Sequence, residues 1–107
     1  MKRLLVTFAA FVLVGAAQAQ SISVTCSWAI PNDANADKSK FQFMCSNFAS
    51  QSSFRDGPKR EEYISACVQQ LNQATAACAP TDKECIKQGY RQAEAPMKAK
   101  CNELSRR

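Results

Sequence analysis

The apolar residues between Pro58 and Cys78 recur every three or four positions, a spacing that places them on one face of a helix. This face comprises Ile64, Cys67, Val68, Leu71, Ala74 or Thr75, and Cys78. Pro58 suits the first turn of a helix, and Asp56 or Gly57 just before it can act as the cap. The pattern predicts that this segment is the central helix of the protein.

Two further helical patterns flank the central one. The first runs from Asp37 to about Gln51. Its apolar face comprises Phe41, Met44, Cys45 and Phe48. The last begins at Thr81 to Glu84, which has the form of a capping box, and continues past Leu104. Pro96 lies within it, and because proline lacks an amide proton we expect a kink or a break there.

The segment before the first helix alternates between apolar and polar residues, as a half-buried strand does. The apolar set is Ile22, Val24, Cys26, Trp28 and Ile30. Because no second strand pattern follows, the segment is either an extended arm on the helices, held through Cys26, or an edge that pairs with another molecule. We favour the arm, and with it a monomer rather than a dimer, because burying Trp28 within the chain needs no partner.

The first 19 residues have the three parts of a cleavable signal peptide. Lys2 and Arg3 precede an apolar run at 4–14, and an A-x-A cleavage site follows at 17–19. The mature chain is predicted to begin at Gln20. This composition is typical of bacterial export, so we expect a periplasmic or secreted protein.

The predicted fold is all-α: a small, disulfide-rich bundle of three helices with an extended N-terminal arm. Its parts are the signal peptide (1–19), the arm with a loop (20–36) and the three-helix, disulfide-tied domain (37–107).

Six cysteines follow the predicted cleavage site: Cys26, Cys45, Cys67, Cys78, Cys85 and Cys101. An even number in a short exported chain is typical of a disulfide framework. Such a chain buries too little surface for a large core, and bridges of about 2–4 kcal/mol each would compensate.

Helix geometry favours two of the bridges. Cys78 and Cys85 lie on either side of one helical corner. Cys45 and Cys67 lie in neighbouring helices at heights that differ by ~4–5 Å, within one helical turn.

The remaining pair, Cys26 with Cys101, would tie the arm to the last helix. One alternative stays open, which is Cys26–Cys45 with Cys67–Cys101. It requires that a kink at Pro96 shorten the last helix.

Several residues between positions 44 and 67 are spaced as in the repeat of a known protein family. Its residues are Met44, Cys45, Asn47, Ala49, Gly57, Arg60, Tyr63, Ile64 and Cys67. The stretch resembles the repeat of the phosphate-starvation-inducible PsiF family. The resemblance implies a small exported helical protein whose molecular role is not established, and it adds support to the pairing of Cys45 with Cys67.

The sequence offers little catalytic chemistry. It contains no histidine, which removes the usual general base and the commonest zinc ligand. Glu61 and Glu62 would point about 100° apart on a helix and cannot flank one bond. No Cys-x-x-Cys motif occurs. We therefore expect no enzymatic activity, no cofactor and no metal.

The positive charge of the protein is modest, because removing Lys2 and Arg3 lowers the formal net charge from +5 to +3. One stripe of the last helix carries Lys83, Lys87, Arg91 and Lys98. These four are the candidate contacts for an anionic partner. The alternative is an ordinary solvated helix face, with Glu94 and Lys98 as a local pair.

These features together predict a non-enzymatic interaction protein of the cell envelope or exterior, with an inhibitor or a stress-response protein as special cases. Its candidate contacts are the Ser52–Gly57 loop and the basic stripe. We expect a protein partner and no nucleic acid, since no aromatic residues interleave with the stripe. The alternative is a secreted effector or membrane-active basic protein, for which an anionic membrane surface would be the partner.

Overall fold

A computed structural model describes residues 25–107, so the predicted signal peptide and the first residues of the arm lie outside it. Three α-helices follow one another within these residues. They are α1 (Phe41–Gln51), α2 (Gly57–Ala74) and α3 (Lys83–Arg106). The described part of the chain contains no strand, which confirms the all-α bundle.

The first helix begins later than its sequence pattern indicated. A 3₁₀ turn at Asp33–Asn35 and another at Lys38–Lys40 precede α1. The Asp37 carboxylate accepts a 2.8 Å hydrogen bond from the Ser39 amide and so caps the second turn. The predicted helix from Asp37 is therefore a 3₁₀ turn that continues as α1. Its predicted apolar face is buried.

The central helix ends at Ala74, four residues before the predicted Cys78. The hydroxyl of the buried Thr75 donates a 2.6 Å hydrogen bond to the Leu71 carbonyl. After Thr75 the chain leaves the helix, and the Cys78 amide donates to the Thr75 carbonyl at 2.9 Å. The Ala76 amide likewise donates to the carbonyl three residues back, that of Gln73, at 3.4 Å, so the chain tightens into turns that end the helix.

The last helix starts from a different cap than predicted. The predicted capping box at Thr81 to Glu84 is wrong, because Asp82 is the N-cap and its carboxylate accepts from the Cys85 amide at 3.2 Å. The helix then continues through Pro96 without the break that proline can cause. Both Pro96 and Gln92 are exposed, so water can bond to the Gln92 carbonyl that proline leaves without a donor.

Three disulfides cross-link the arm and the helices. They join Cys26 to Cys101, Cys45 to Cys67 and Cys78 to Cys85, with Cα–Cα distances of 5.9, 5.8 and 5.7 Å. The preferred pairing is confirmed and the alternative is excluded in this structure. This density of bridges indicates a protein of an oxidising environment outside the cytoplasm.

The arm fills the space between α1 and α3. The centroid of the Trp28 ring lies 4.6 Å from that of Phe48 and 6.0 Å from that of Tyr90. The indole nitrogen of Trp28 donates a 2.8 Å hydrogen bond to the Tyr90 backbone carbonyl. Cys26 and Ile30 also pack against the core. The arm is thus confirmed from residue 25 onward, while the predicted contributions of residues 22 and 24 lie outside the described residues.

Gly89 lets α3 come close to the C-terminal end of α2 at Ala74 and to Thr75, which follows it. A side chain at this position would overlap the Thr75 methyl group. The fold therefore accepts a glycine within α3, although glycine costs about 1 kcal/mol relative to alanine in a helix.

Candidate functional site

The basic stripe on α3 is partly neutralised by the segment before α1. The Lys87 ammonium pairs with the Asp33 carboxylate and lies 3.4 Å from that of Glu84. Lys83 donates a 3.1 Å hydrogen bond to the backbone carbonyl of Asp33. The first two members of the stripe therefore bind a 3₁₀ turn of the same chain.

The contact between Lys87 and Asp33 shifts the pKa values of both groups in the direction expected for an ion pair. The hydrogen bond from Lys87 lowers the pKa of Asp33, and the same bond raises the pKa of Lys87. Only 18% of the Lys87 side chain is exposed. An anionic partner would have to displace Asp33 to reach this charge.

The other two members of the stripe differ from each other. Lys98 pairs with Glu94 one turn earlier, at 3.2 Å. Arg91 donates a 3.1 Å hydrogen bond to the neutral side chain of Gln88 and has no acidic partner among residues 25–107. Among residues 25–107, Lys83 and Arg91 are thus the members of the stripe without an acidic partner, and Lys87 and Lys98 between and beyond them are neutralised, so the stripe is not a continuous positive surface.

The Ser52–Gly57 loop, the other candidate contact, is held at its centre by Phe54. This side chain is 4% exposed, and its ring lies 5.4 Å from that of Tyr63. Arg60 Nη1 donates to the Phe54 carbonyl at 3.1 Å and to Ser50 Oγ at 2.8 Å. The Phe54 amide donates to the Ala49 carbonyl at 3.2 Å. Phe54 thereby fixes the middle of the loop.

Ser52 fixes the start of the loop to the arm. Its hydroxyl oxygen accepts a 3.0 Å hydrogen bond from the Ser27 amide, and the Ser27 hydroxyl donates to the Gln51 carbonyl at 3.2 Å. Burial raises the pKa of the nearby Tyr63 to about 12, and the Ser52 side chain opposes this shift. Ser27 directly follows Cys26, which is bridged to Cys101 of α3. The loop is therefore linked to the disulfide framework through Ser27.

The tip of the loop faces solvent. Ser53, Arg55, Asp56 and Gly57 are all exposed. Gly57 has φ +86°, a conformation that glycine adopts without strain, and it turns the chain into α2. Arg55 and Asp56 form no ion pair within the described part of the chain. The loop therefore presents two opposite charges between the anchored Phe54 and the first turn of α2.

The sequence pattern placed this loop correctly and missed its two anchors. Phe54 was a usable indication, because a large apolar residue between two polar stretches often packs on the core. The Ser52 contact joins residues that are 25 positions apart, and no local pattern predicts such a bond.

An open groove of about 730 Å³ lies along α2 beside the start of α1, and it was not predicted. Ile64 and Val68 contribute its apolar surface, and Gln42, Gln69 and Asn72 contribute side-chain amides.

The described residues offer few side chains for redox or metal chemistry. All six cysteines are in bridges. Residues 25–107 contain no group of three or more His, Cys, Asp or Glu side chains that could hold a metal ion. Over the same residues, no helix has the length and apolar character needed to cross a membrane.

Comparisons with protein-family models, with curated proteins and with solved structures found no match to this chain.

Proposed function

We propose that this protein is an exported, non-enzymatic binding protein that contacts a protein partner through the tip of the Ser52–Gly57 loop. The observation that carries the proposal is that the tip is exposed while Ser52 and Phe54 hold the loop. A loop already fixed in one conformation loses little entropy on binding, so its contacts add more to affinity. Inhibitors of exported or host enzymes use this property, and such an inhibitor is one special case.

The location that fits this proposal is the periplasm or the exterior of a bacterium. Its support is the signal-peptide pattern of residues 1–19 together with a framework that requires oxidised cysteines. The stretch that resembles the PsiF family favours a role in the stress response of the envelope.

The ion pairs of α3 weigh against the membrane-active alternative. Lys87 and Lys98 are paired with acidic side chains. Electrostatic attraction to anionic lipid depends on unpaired cations close to the surface. A protein partner that pairs with both Arg55 and Asp56 fits the exposed charges better.

A capture experiment with a charge-swapped loop tests the proposal. Oxidised mature protein is immobilised and exposed to envelope extract, beside an Arg55→Glu/Asp56→Lys variant. The matched control is Glu94→Lys/Lys98→Glu on α3, which also exchanges two opposite charges and leaves the net charge unchanged. We expect a saturable partner that the control retains and the loop variant loses. Equal retention by all three proteins would contradict the assignment of the loop.

Sedimentation with vesicles separates the membrane alternative. The wild-type protein is mixed with anionic and with neutral lipid vesicles. We expect no difference between the two at physiological ionic strength. Strong binding to anionic vesicles alone, weakened by Arg91→Glu, would favour the membrane-active function instead.

A further inference from the structure

The second helix carries a long stretch without charge. Between Tyr63 and Thr81 there is no Asp, Glu, Lys or Arg, although these residues make up 21% of the chain. The stretch includes most of α2 and the connection to α3. Burial alone does not explain this lack of charge, because one face of the stretch is exposed to solvent.

The exposed face of this stretch is polar but neutral. Ser65, Gln69, Asn72 and Gln73 are exposed, and Ala76 continues the same surface. A charged content of about 25–35% suits the surface of a small soluble domain, whereas the centres of protein interfaces are depleted of charged residues. In its lack of charge, this face resembles the centre of an interface more than an ordinary solvated surface.

The groove along α2 gives the face its shape. Its volume is about 730 Å³, and Ile64 and Val68 lie among its lining residues. Val68 is partly buried and packs against the core, so the apolar part of the groove is accessible but shallow. Of the described residues that line the groove, Glu61 alone is charged. Charged ligands would therefore find few partners here.

We propose that this face, which we call the α2 face (Ser65, Val68, Gln69, Asn72 and Gln73), binds a second copy of this chain. Each side-chain amide both donates and accepts hydrogen bonds, so the face is complementary to itself. A two-fold interface brings the same surface of both copies together. The α2 face is a place where two chains of net positive charge can meet without opposing like charges.

The length of the face sets the geometry and the strength of the contact. From Glu61 to the end of α2 at Ala74 the surface extends for about 20 Å along the helix. With antiparallel helices and a two-fold axis near Gln69, Gln69 meets its counterpart and Ser65 meets the region of Gln73. One helix face is smaller than the ~800 Å² per partner of a standard interface. The dimer is therefore weak, forms as concentration rises, and leaves a monomer in dilute solution.

The α2 face shares no residue with the Ser52–Gly57 loop, so a dimer through this face is independent of the proposed binding function. Trp28 also lies outside the α2 face, so the arm stays on its own chain in both the monomer and the dimer.

Analytical ultracentrifugation of oxidised protein with complementary charges at Gln69 tests the proposal. The wild type is measured from micromolar to about 1 mM, beside Gln69→Lys, Gln69→Glu and an equimolar mixture of these two variants. Like charges near the two-fold axis should weaken each variant's self-association by about tenfold or more. The mixture should associate again, because lysine then faces glutamate. Circular dichroism verifies that each variant is folded.

Gln92→Lys is the control, because it adds the same charge to an exposed glutamine of α3. We expect it to associate as the wild type does. A wild-type protein that stays monomeric up to about 1 mM would overturn the proposal. Self-association that both Gln69 variants keep unchanged would overturn it equally, because the contact would then lie elsewhere.

Discussion

At the scale of single residues, Tyr90 organises the aromatic core. Its ring centroid lies 6.0 Å from that of Trp28, 5.8 Å from Phe41 and 6.4 Å from Phe48. Its hydroxyl is buried and has no hydrogen-bond partner among residues 25–107, and burial raises the pKa of this group above the usual range for tyrosine. The ring thus stabilises the core while the hydroxyl opposes that stabilisation.

The variant Tyr90→Phe should be as stable as the wild type or up to about 1 kcal/mol more stable, because it removes an unpaired buried hydroxyl and keeps the ring. Thr75→Val is the matched control: it also removes a buried hydroxyl, but this one donates a 2.6 Å hydrogen bond to the Leu71 carbonyl, so the free energy of unfolding should fall. Urea denaturation measures both. A loss of more than about 1 kcal/mol in Tyr90→Phe would mean that its hydroxyl has a partner.

A second residue-scale prediction concerns Gly89. Alanine favours helix, yet Gly89→Ala should lower the free energy of unfolding by about 1–3 kcal/mol, because its methyl group would overlap that of Thr75. Thr75→Ser removes the opposing methyl group and keeps the hydroxyl. Combined with Gly89→Ala, it should recover much of the loss, which a double-mutant cycle measures. Additive effects of the two substitutions would contradict this contact.

At the scale of the elements, the start of α2 and the end of α3 are joined by a cluster of four charges. Glu62 accepts hydrogen bonds from Lys100 at 2.7 Å and from Arg107 at 2.8 Å. Arg107 also donates to Glu103 at 2.6 Å. The bonds from Lys100 and Arg107 lower the pKa of Glu62, and the bond from Arg107 lowers that of Glu103.

This cluster predicts a dependence of stability on pH. Because the two carboxyl groups have lower pKa values in the folded state, the unfolded chain binds more protons near their ordinary pKa of about 4.3. The stabilisation that the two carboxylates provide is present above that pH. It is lost as the pH falls through their lowered pKa values in the folded state. In urea denaturation from pH 7 to pH 3, Glu62→Gln should lose less stability than the wild type.

Glu61→Gln serves as the control for the pH series, because Glu61 forms no ion pair within the described residues. It should follow the wild-type curve. A Glu62→Gln curve parallel to that of the wild type would mean that the ion pairs do not contribute in solution.

The elements also show what the sequence could predict. The buried faces of α1 and α3 follow from helical spacing, and Cys78–Cys85 follows from a corner between consecutive helices. The end of α2 at Ala74 and the cap at Asp82 were missed, because several residues could satisfy the same local rule and tertiary contacts chose between them. Lys87 pairs with Asp33, which lies far away in the chain. The sequence alone therefore suggested more unpaired positive charge on the basic stripe than the structure has.

At the scale of the whole molecule, the disulfides determine how the arm, the loop and the helices stay together. Cys26–Cys101 spans 75 residues and Cys78–Cys85 spans 7. In the chain-entropy description, a bridge that closes a longer loop restricts the unfolded chain more. The arm bridge should therefore contribute more to stability than the corner bridge.

Replacing each pair by serine tests this order. Cys26→Ser/Cys101→Ser should lower the free energy of unfolding by about 4.5 kcal/mol and Cys78→Ser/Cys85→Ser by about 2.5 kcal/mol. Denaturant unfolding measures both, and Trp28 fluorescence should report exposure of the arm in the first variant. A larger loss in the corner variant would contradict the entropic origin of the difference.

The most direct test is peptide mapping of the oxidised, unreduced protein by mass spectrometry, because both the pinned arm and the fixed loop depend on the disulfide pairing. The structure predicts three cross-linked peptide pairs, which join Cys26 to Cys101, Cys45 to Cys67 and Cys78 to Cys85. Peptides that join Cys26 to Cys45 and Cys67 to Cys101, or a protein with two or more free thiols, would contradict the framework.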